Sequence, residues 1–225
     1  MTDRILLLAS ASPRRLELIQ LLRIPWIARA ADVDEESVSH PDPSADVVKT
    51  AQLKAEYAAA TAPENNIVIG ADTTVVLDSI KLNKPVNEDE AREMLIALRG
   101  RSHEVHTGLT IIDQSSRRVV ADVSSVSVPM RFYSDSEIDT YIATGDPLDK
   151  AGAYAIQHPE LRPVLNLIGC YATVVGLPLC HLVRALREVG VAITSDVPSA
   201  CQEHFNYDCP VFAQILNGDV RFGAM

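Results

Sequence analysis

The sequence predicts an α/β fold, and three observations carry that prediction. Short apolar runs of strand length recur at Arg4 to Ala9 and Ile67 to Ala71. Between them lie longer stretches with helical spacing, opened by capping residues and often closed by glycine. No internal repeat or low-complexity tract interrupts this alternation, which marks helices and strands packed in layers around one sheet. The chain has 225 residues, 47% hydrophobic and 22% charged, enough for a sizeable core and incompatible with a disordered chain.

In chain order, Arg4 to Ala9 reads as a buried strand, and Ser10 to Ser12 as a turn. Ser12 is an expected N-cap with Pro13 in the first helical position, and Leu16, Ile19 and Leu22 form the apolar stripe of the helix that follows. Residues 31 to 46 read as an acidic loop, and Ser44 to about Thr61 as an alanine-rich helix. Ile67 to Ala71 is a second buried strand ending at Asp72, with Val75 to Leu77 either extending it or forming the next one. Asn87 and Glu90 predict a capping box for a helix to Arg99, closed by Gly100. Val105 to Ile112 and Val119 to Phe132 read as a long antiparallel pair. Ser134 and Glu137 predict another capping box and a helix to about Gly145. Tyr171 to Val175 reads as a strand and Leu177 to Val189 as a helix closed by Gly190. Residues 1–193 are expected to form one domain. Residues 194–225 form an appended tail, in which Phe205, Tyr207, Val211, Phe212, Ile215 and Leu216 could dock as a short apolar helix.

Thirty acidic side chains against twenty basic ones leave a net charge of −10. That balance argues against binding a nucleic-acid polymer, since no broad positive surface offsets the phosphates. It leaves room for a small anion held by a local basic island. Residues 1 to 30 are one, with five arginines (Arg4, Arg14, Arg15, Arg23, Arg29) against Asp3 and Glu17. No run approaches the roughly 18 apolar residues of a membrane helix. Ile5 to Ala9 is too short for a secretory core, so a cytoplasmic location is expected. Cys170, Cys180, Cys201 and Cys209 form no C-x-x-C pair and read as free thiols; Cys201, His204 and Cys209 match no common zinc spacing.

The strongest local signal is Ser10-Ala11-Ser12-Pro13-Arg14-Arg15. A strand-to-helix turn presents free N–H groups and the positive end of the helix dipole, which favours an anion. Arg14 and Arg15 add two guanidinium forks suited to phosphate. An ordinary capped helix with two solvated arginines is the alternative. Asp72, beyond a strand, lies where ligands gather in α/β sheets and could bind Mg²⁺ or polarise a water; it could equally cap a turn beside Thr73 and Thr74. Glu35, Lys54 and Lys84 are each ordinary surface charges when taken singly. Together with Arg14, Arg15 and Asp72 they make the cation-and-carboxylate set that a Mg²⁺–polyphosphate requires. His103 and His106 point to opposite faces of a strand and lack a third ligand; His158 and His181 read as surface or cap residues. There is no Walker A, no G-x-G-x-x-G and no Ser-His-Asp arrangement.

At this density the motifs carry a resemblance. L-A-S-A-S-P-R-R within residues 7–15, Asp34-Glu35, Lys54-Ala55, Gly70 to Thr73 (G-A-D-T), Lys84-Pro85, His103-x-Val105-x-Thr107-Gly108, Asp149 to Gln157 (D-K-A-G-A-Y-A-I-Q), Ile168-Gly169 and Val174 to Leu179 occur in order over about residues 4 to 190. The chain resembles the Maf family of nucleoside triphosphate pyrophosphatases. The resemblance implies an elongated mixed sheet with two lobes and a central cleft, similar to inosine triphosphatase-like folds. It implies hydrolysis of a free nucleoside triphosphate to monophosphate and pyrophosphate by attack of a metal-activated water at the α-phosphate, with Mg²⁺ or alternatively Mn²⁺. It also implies that Ser10, Arg14, Arg15, Lys54 and Lys84 hold the triphosphate, and that Asp72 and Glu35 bind the metal. Asp72 would also orient the water, with Thr73 and Gln157 facing the base. Homodimers are common in the family. The K-A-G-A-Y…I-Q stretch resembles the branch acting on dTTP and UTP rather than the one acting on 7-methyl-GTP. A nucleotide-binding regulator without catalysis is the alternative of another class. Asn83, His158 and Cys170 depart from the usual residues beside the motifs, and the tail from Thr194 lies outside the resemblance.

Overall fold

The computed structural model describes residues 4–218. Strand β1 (Ile5–Leu8) leads into helix α1 (Pro13–Ile19), then the short strand β2 (Trp26–Ala28) and helix α2 (Pro43–Ala59). Strand β3 (Asn66–Leu77), strand β4 (Ile80–Leu82), helix α3 (Glu88–Leu98) and the strands β5 (Ser102–Asp113) and β6 (Val119–Pro129) follow. The chain continues through helices α4 (Asp135–Ile142), α5 (Tyr171–Val175), α6 (Leu179–Glu188), α7 (Val197–Phe205) and α8 (Phe212–Asn217). The six strands form one mixed sheet in the order β2-β1-β3-β5-β6, with β4 on β3. β1 runs parallel to β2 and β3; β4 and β5 run antiparallel to β3. Among the described residues, no helix is long and apolar enough to cross a membrane.

β1 is a continuous apolar run because both of its faces are covered. Leu6 and Leu8 enter the core beneath α1 and α6, whereas Leu7 and Ala9 enter the core beneath α2. A further core packs α3 and α4 on the outer half of the sheet, around Val75, Leu77, Val105 and Val128. Two lobes therefore share one sheet, with β3 and β5 running through both.

The long antiparallel pair forms as expected, in the register Val105↔Val126 and Ile111↔Val120. The Ser134 capping box is complete. At α3, Asn87 caps Glu90 N–H, but the Glu90 carboxylate accepts from Val86 rather than from Asn87. Four further expectations are corrected. Tyr171–Val175 is one turn of helix, closed by Gly176 in the left-handed region (φ 110°), a conformation glycine adopts without strain. A short apolar run has no period that separates strand from helix. Asp72 lies inside β3, not beyond it. Ser12 occupies the N-cap position of α1 without a side-chain cap; its N–H is held instead by Ser10 Oγ at 3.2 Å. His181 is buried and faces Asp122 at 3.1 Å. The tail docks over residues 194–218, and residues 219–225 of it lie outside the described residues: Ile215 is buried, and Phe205, Val211, Phe212 and Leu216 pack on the core that holds α1 and α6.

Candidate active site

Partner strands leave β3 where the site lies. On one edge β1 pairs with Asn66 to Ile69, and β4 begins its pairing at Val75. Gly70 to Thr74 are passed over between them on that edge. A cleft of ≈ 890 Å³ opens there, lined by the β1–α1 turn, the acidic loop, α2, β3, the loop after β4 and residues 149–157. Such a gap, where neighbouring strands diverge, is the expected ligand position in an open α/β sheet.

β3 then sorts its side chains by face. Asp72 projects toward α2 and Thr73 toward α1. α2 lies very close on its side because Gly70 has no Cβ: one added there would sit 2.0 Å from Ala51 O. That approach brings Lys54, in the middle of α2, to Asp72. Lys54 Nζ donates to Asp72 Oδ1 at 2.8 Å and stands 2.9 Å from Glu35 Oε2. Lys54 is only 7% exposed, so it does not snorkel to solvent. A buried ammonium requires such partners, and two carboxylates from separate segments provide them. Glu35 is delivered by a 3₁₀ turn (Glu35–Ser37), whose first residues are capped by Asp34.

On the opposite face, Arg15 donates through Nε to Gly176 O at 2.8 Å and through Nη2 to Thr73 Oγ1 at 3.0 Å. Burial lowers its pKa below the ordinary value, opposed by the charges of Asp72 and Glu35. Arg14 reaches across the cleft to within 3.9 Å of Asp149 Oδ2. Ser10 is buried at the floor, Lys84 is exposed at the rim, and Gln157 lines the cleft with an exposed side chain. All nine residues singled out from the sequence therefore line one cavity.

Several lining groups were not assigned from the sequence. Lys81 pairs with the buried carboxylate of Asp46, which also accepts from His40 N–H at 2.7 Å. Lys150 is buried against Asp146 and Asp149, at 2.8 and 2.5 Å. Lys150 lies within a motif already quoted, so its presence was legible; its pairing was not. Six cations and five carboxylates line the cleft, in a chain whose net charge is −10. The cleft is thus spared the acidic surplus of the whole molecule. Behind it, His103 Nε2 meets Tyr154 OH at 2.8 Å, and burial pushes the His103 pKa down to about 4. Among the described residues no group of three or more His, Cys, Asp or Glu side chains could hold a metal ion. His204 of the tail instead faces Glu17 at 3.6 Å.

An open α/β cleft with paired carboxylates beside several cations defines a protein built to receive an anionic ligand. The chain belongs to the Maf-like protein family, whose model matches residues 5–189. It is 42% identical over 191 residues to the dTTP/UTP pyrophosphatase of Bacillus cereus (strain B4264), covering 85% of this chain and 98% of that protein. It is 43% identical over 190 residues to the dTTP/UTP pyrophosphatase of Desulforamulus reducens, covering 84% of this chain and 99% of that protein. Overlap with the solved Staphylococcus aureus Ham1 protein is partial, with a TM-score of 0.41, 14% identity, and 56% of this chain and 71% of that one covered. The tail helices α7 and α8 fall outside the family match.

Proposed function

We propose that this protein hydrolyses pyrimidine nucleoside triphosphates, dTTP and UTP foremost, to the monophosphate and pyrophosphate. The observation that carries the proposal is Lys54 held between Asp72 and Glu35, facing Arg14 and Arg15 across one cleft. The names of the relatives agree with it.

Arg14, Lys84 and Ser10 hold the triphosphate, aided by whatever N–H groups Arg15 has left after Gly176 and Thr73 are served. Lys54 occupies Oδ1 of Asp72, and Oδ2 is the atom placed to accept a proton from water attacking the α-phosphorus. Lys54 fixes the orientation of that carboxylate. Gln157 and Thr73 face the base. Gln157 offers both a donor and an acceptor.

The site fits a divalent cation brought in with the substrate. Two carboxylates, Asp72 and Glu35, already converge on a single positive charge, and Mg²⁺ characteristically takes one or two carboxylates with phosphate oxygens completing its shell. When bound, Mg²⁺, or Mn²⁺ in its place, supplies Lewis-acid polarisation of the phosphate oxygens. A free nucleotide in the cytoplasm is the substrate this reading requires, with a homodimer as the family's usual assembly.

The test is pyrophosphate release from dTTP, UTP, CTP and 7-methyl-GTP, with Mg²⁺ and with a chelator. Release from dTTP and UTP that stops on chelation is expected. No metal-dependent release from any of the four would overturn the proposal.

A further inference from the structure

Thr107 lies wholly buried in β5, directly across the ladder from Thr73 in β3. Its hydroxyl is 2.8 Å from Thr173 O and 2.9 Å from Thr73 Oγ1. A carbonyl can only accept, so the single proton of Thr107 goes to Thr173 O. The contact between the two hydroxyls then has one direction: Thr73 donates and Thr107 accepts. On its other side, Thr73 Oγ1 already accepts from Arg15 Nη2 at 3.0 Å, and a guanidinium can only donate. Thr73 therefore has no proton left for the cleft. It has one lone pair.

A thymine or uracil edge offers one polar donor, N3–H; O2 and O4 only accept. A hydroxyl that can only accept thus has one partner on that edge. We propose that Thr107 is a specificity-positioning residue: by taking the Thr73 proton, it leaves Thr73 able to accept N3–H of thymine or uracil and unable to donate to the N3 lone pair of cytosine. Cytosine presents a lone pair at N3, which meets the lone pair of Thr73 when the ring sits as uracil does; its one polar donor is the N4 amine, displaced from that position. This rests on the placement of Thr73 against the base proposed above. Polar sites reject a mismatched analogue more strongly than apolar ones do, because a buried group is left unpaired.

The experiment measures kcat/KM for UTP, CTP and N3-methyl-UTP in the wild type, Thr107→Val, Thr107→Ser and Thr73→Val, with the melting temperature of each. In the wild type, CTP and N3-methyl-UTP should each fall below UTP by about tenfold or more. Thr107→Val keeps the shape, frees the Thr73 proton, and should narrow the UTP-to-CTP ratio by about tenfold. Thr107→Ser keeps the hydroxyl and should retain the wild-type ratio, which a purely structural role would not predict. A ratio unchanged in Thr107→Val but altered in Thr73→Val would overturn the proton direction. A ratio unchanged in Thr73→Val would overturn its placement at the base, while metal-dependent pyrophosphate release would still support the hydrolase. Should Thr107→Val not fold, the wild type decides: equal turnover of UTP and N3-methyl-UTP overturns the proposal.

Discussion

The cleft and the seam under the tail are both concavities, and they are built on opposite principles. The cleft measures ≈ 890 Å³ and is lined by eleven charged side chains. The seam, between α6 and the tail helices, holds only ≈ 10 Å³ and is lined by Cys170, Cys180, Cys201 and Cys209 with Leu179, Phe205 and Phe212. Tyr171 closes it, with ring centroids 4.4 Å from Phe205 and 5.5 Å from Tyr207. Burial raises the Cys170 and Cys180 thiols and pushes Cys201 up to about 12, so these thiols stay protonated near neutral pH and are poor nucleophiles. Most charges in the cleft are paired but leave space between the pairs. Side chains in the seam fill their space. The first arrangement keeps polar groups available to a ligand, and the second converts apolar area into stability.

Substitutions should separate the two regions. Asp72→Asn preserves shape and removes the charge; kcat should fall at least ~100-fold, and the melting temperature should fall too, since buried Lys54 keeps only Glu35 as an anionic partner. Activity within a few-fold of wild type would break the assignment of Asp72. Ile215→Ala opens a cavity in the seam and should cost about 2 kcal/mol of unfolding free energy, with kcat/KM unaltered. If it lowered kcat/KM instead, seam and cleft would be coupled. The smallest effect concerns the polar wall behind the cleft. His103 has a folded pKa of about 4 against an ordinary 6.5, so the folded protein binds fewer protons than the unfolded chain between those values. Its contribution is intact above pH 6.5 and declines as pH falls toward 4, giving a loss of about 1 kcal/mol between pH 7.5 and 5.5. Denaturation at the two pH values checks this, and His103→Gln should flatten the difference.

Local chemistry was legible in several places where the determining groups are neighbours in sequence, although the Ser12 side chain does not cap α1 and the Glu90 carboxylate turns to Val86. The Ser134–Glu137 box, Pro13 at the head of α1 and the alternation of β5 and β6 all follow from contacts within a few residues or from period alone. β2 was not anticipated: it is three residues long, largely exposed and defined only by its pairing with β1. His181 gave no sign of burial, because its partner Asp122 is 59 residues away.

For the site, residue types and order were enough to select Ser10, Arg14, Arg15, Glu35, Lys54, Asp72, Thr73, Lys84 and Gln157 as a set. Family resemblance was needed for Gln157. Tertiary structure alone decided that Asp72 and Thr73 lie inside β3 rather than beyond it. It alone placed Lys54 between two carboxylates, and it alone gave the hydroxyls of Thr73 and Thr107 a direction. The reason is physical: sequence spacing sets which face of a strand or helix a residue occupies, but a hydrogen bond or ion pair depends on distances of about 3 Å between segments that only packing brings together.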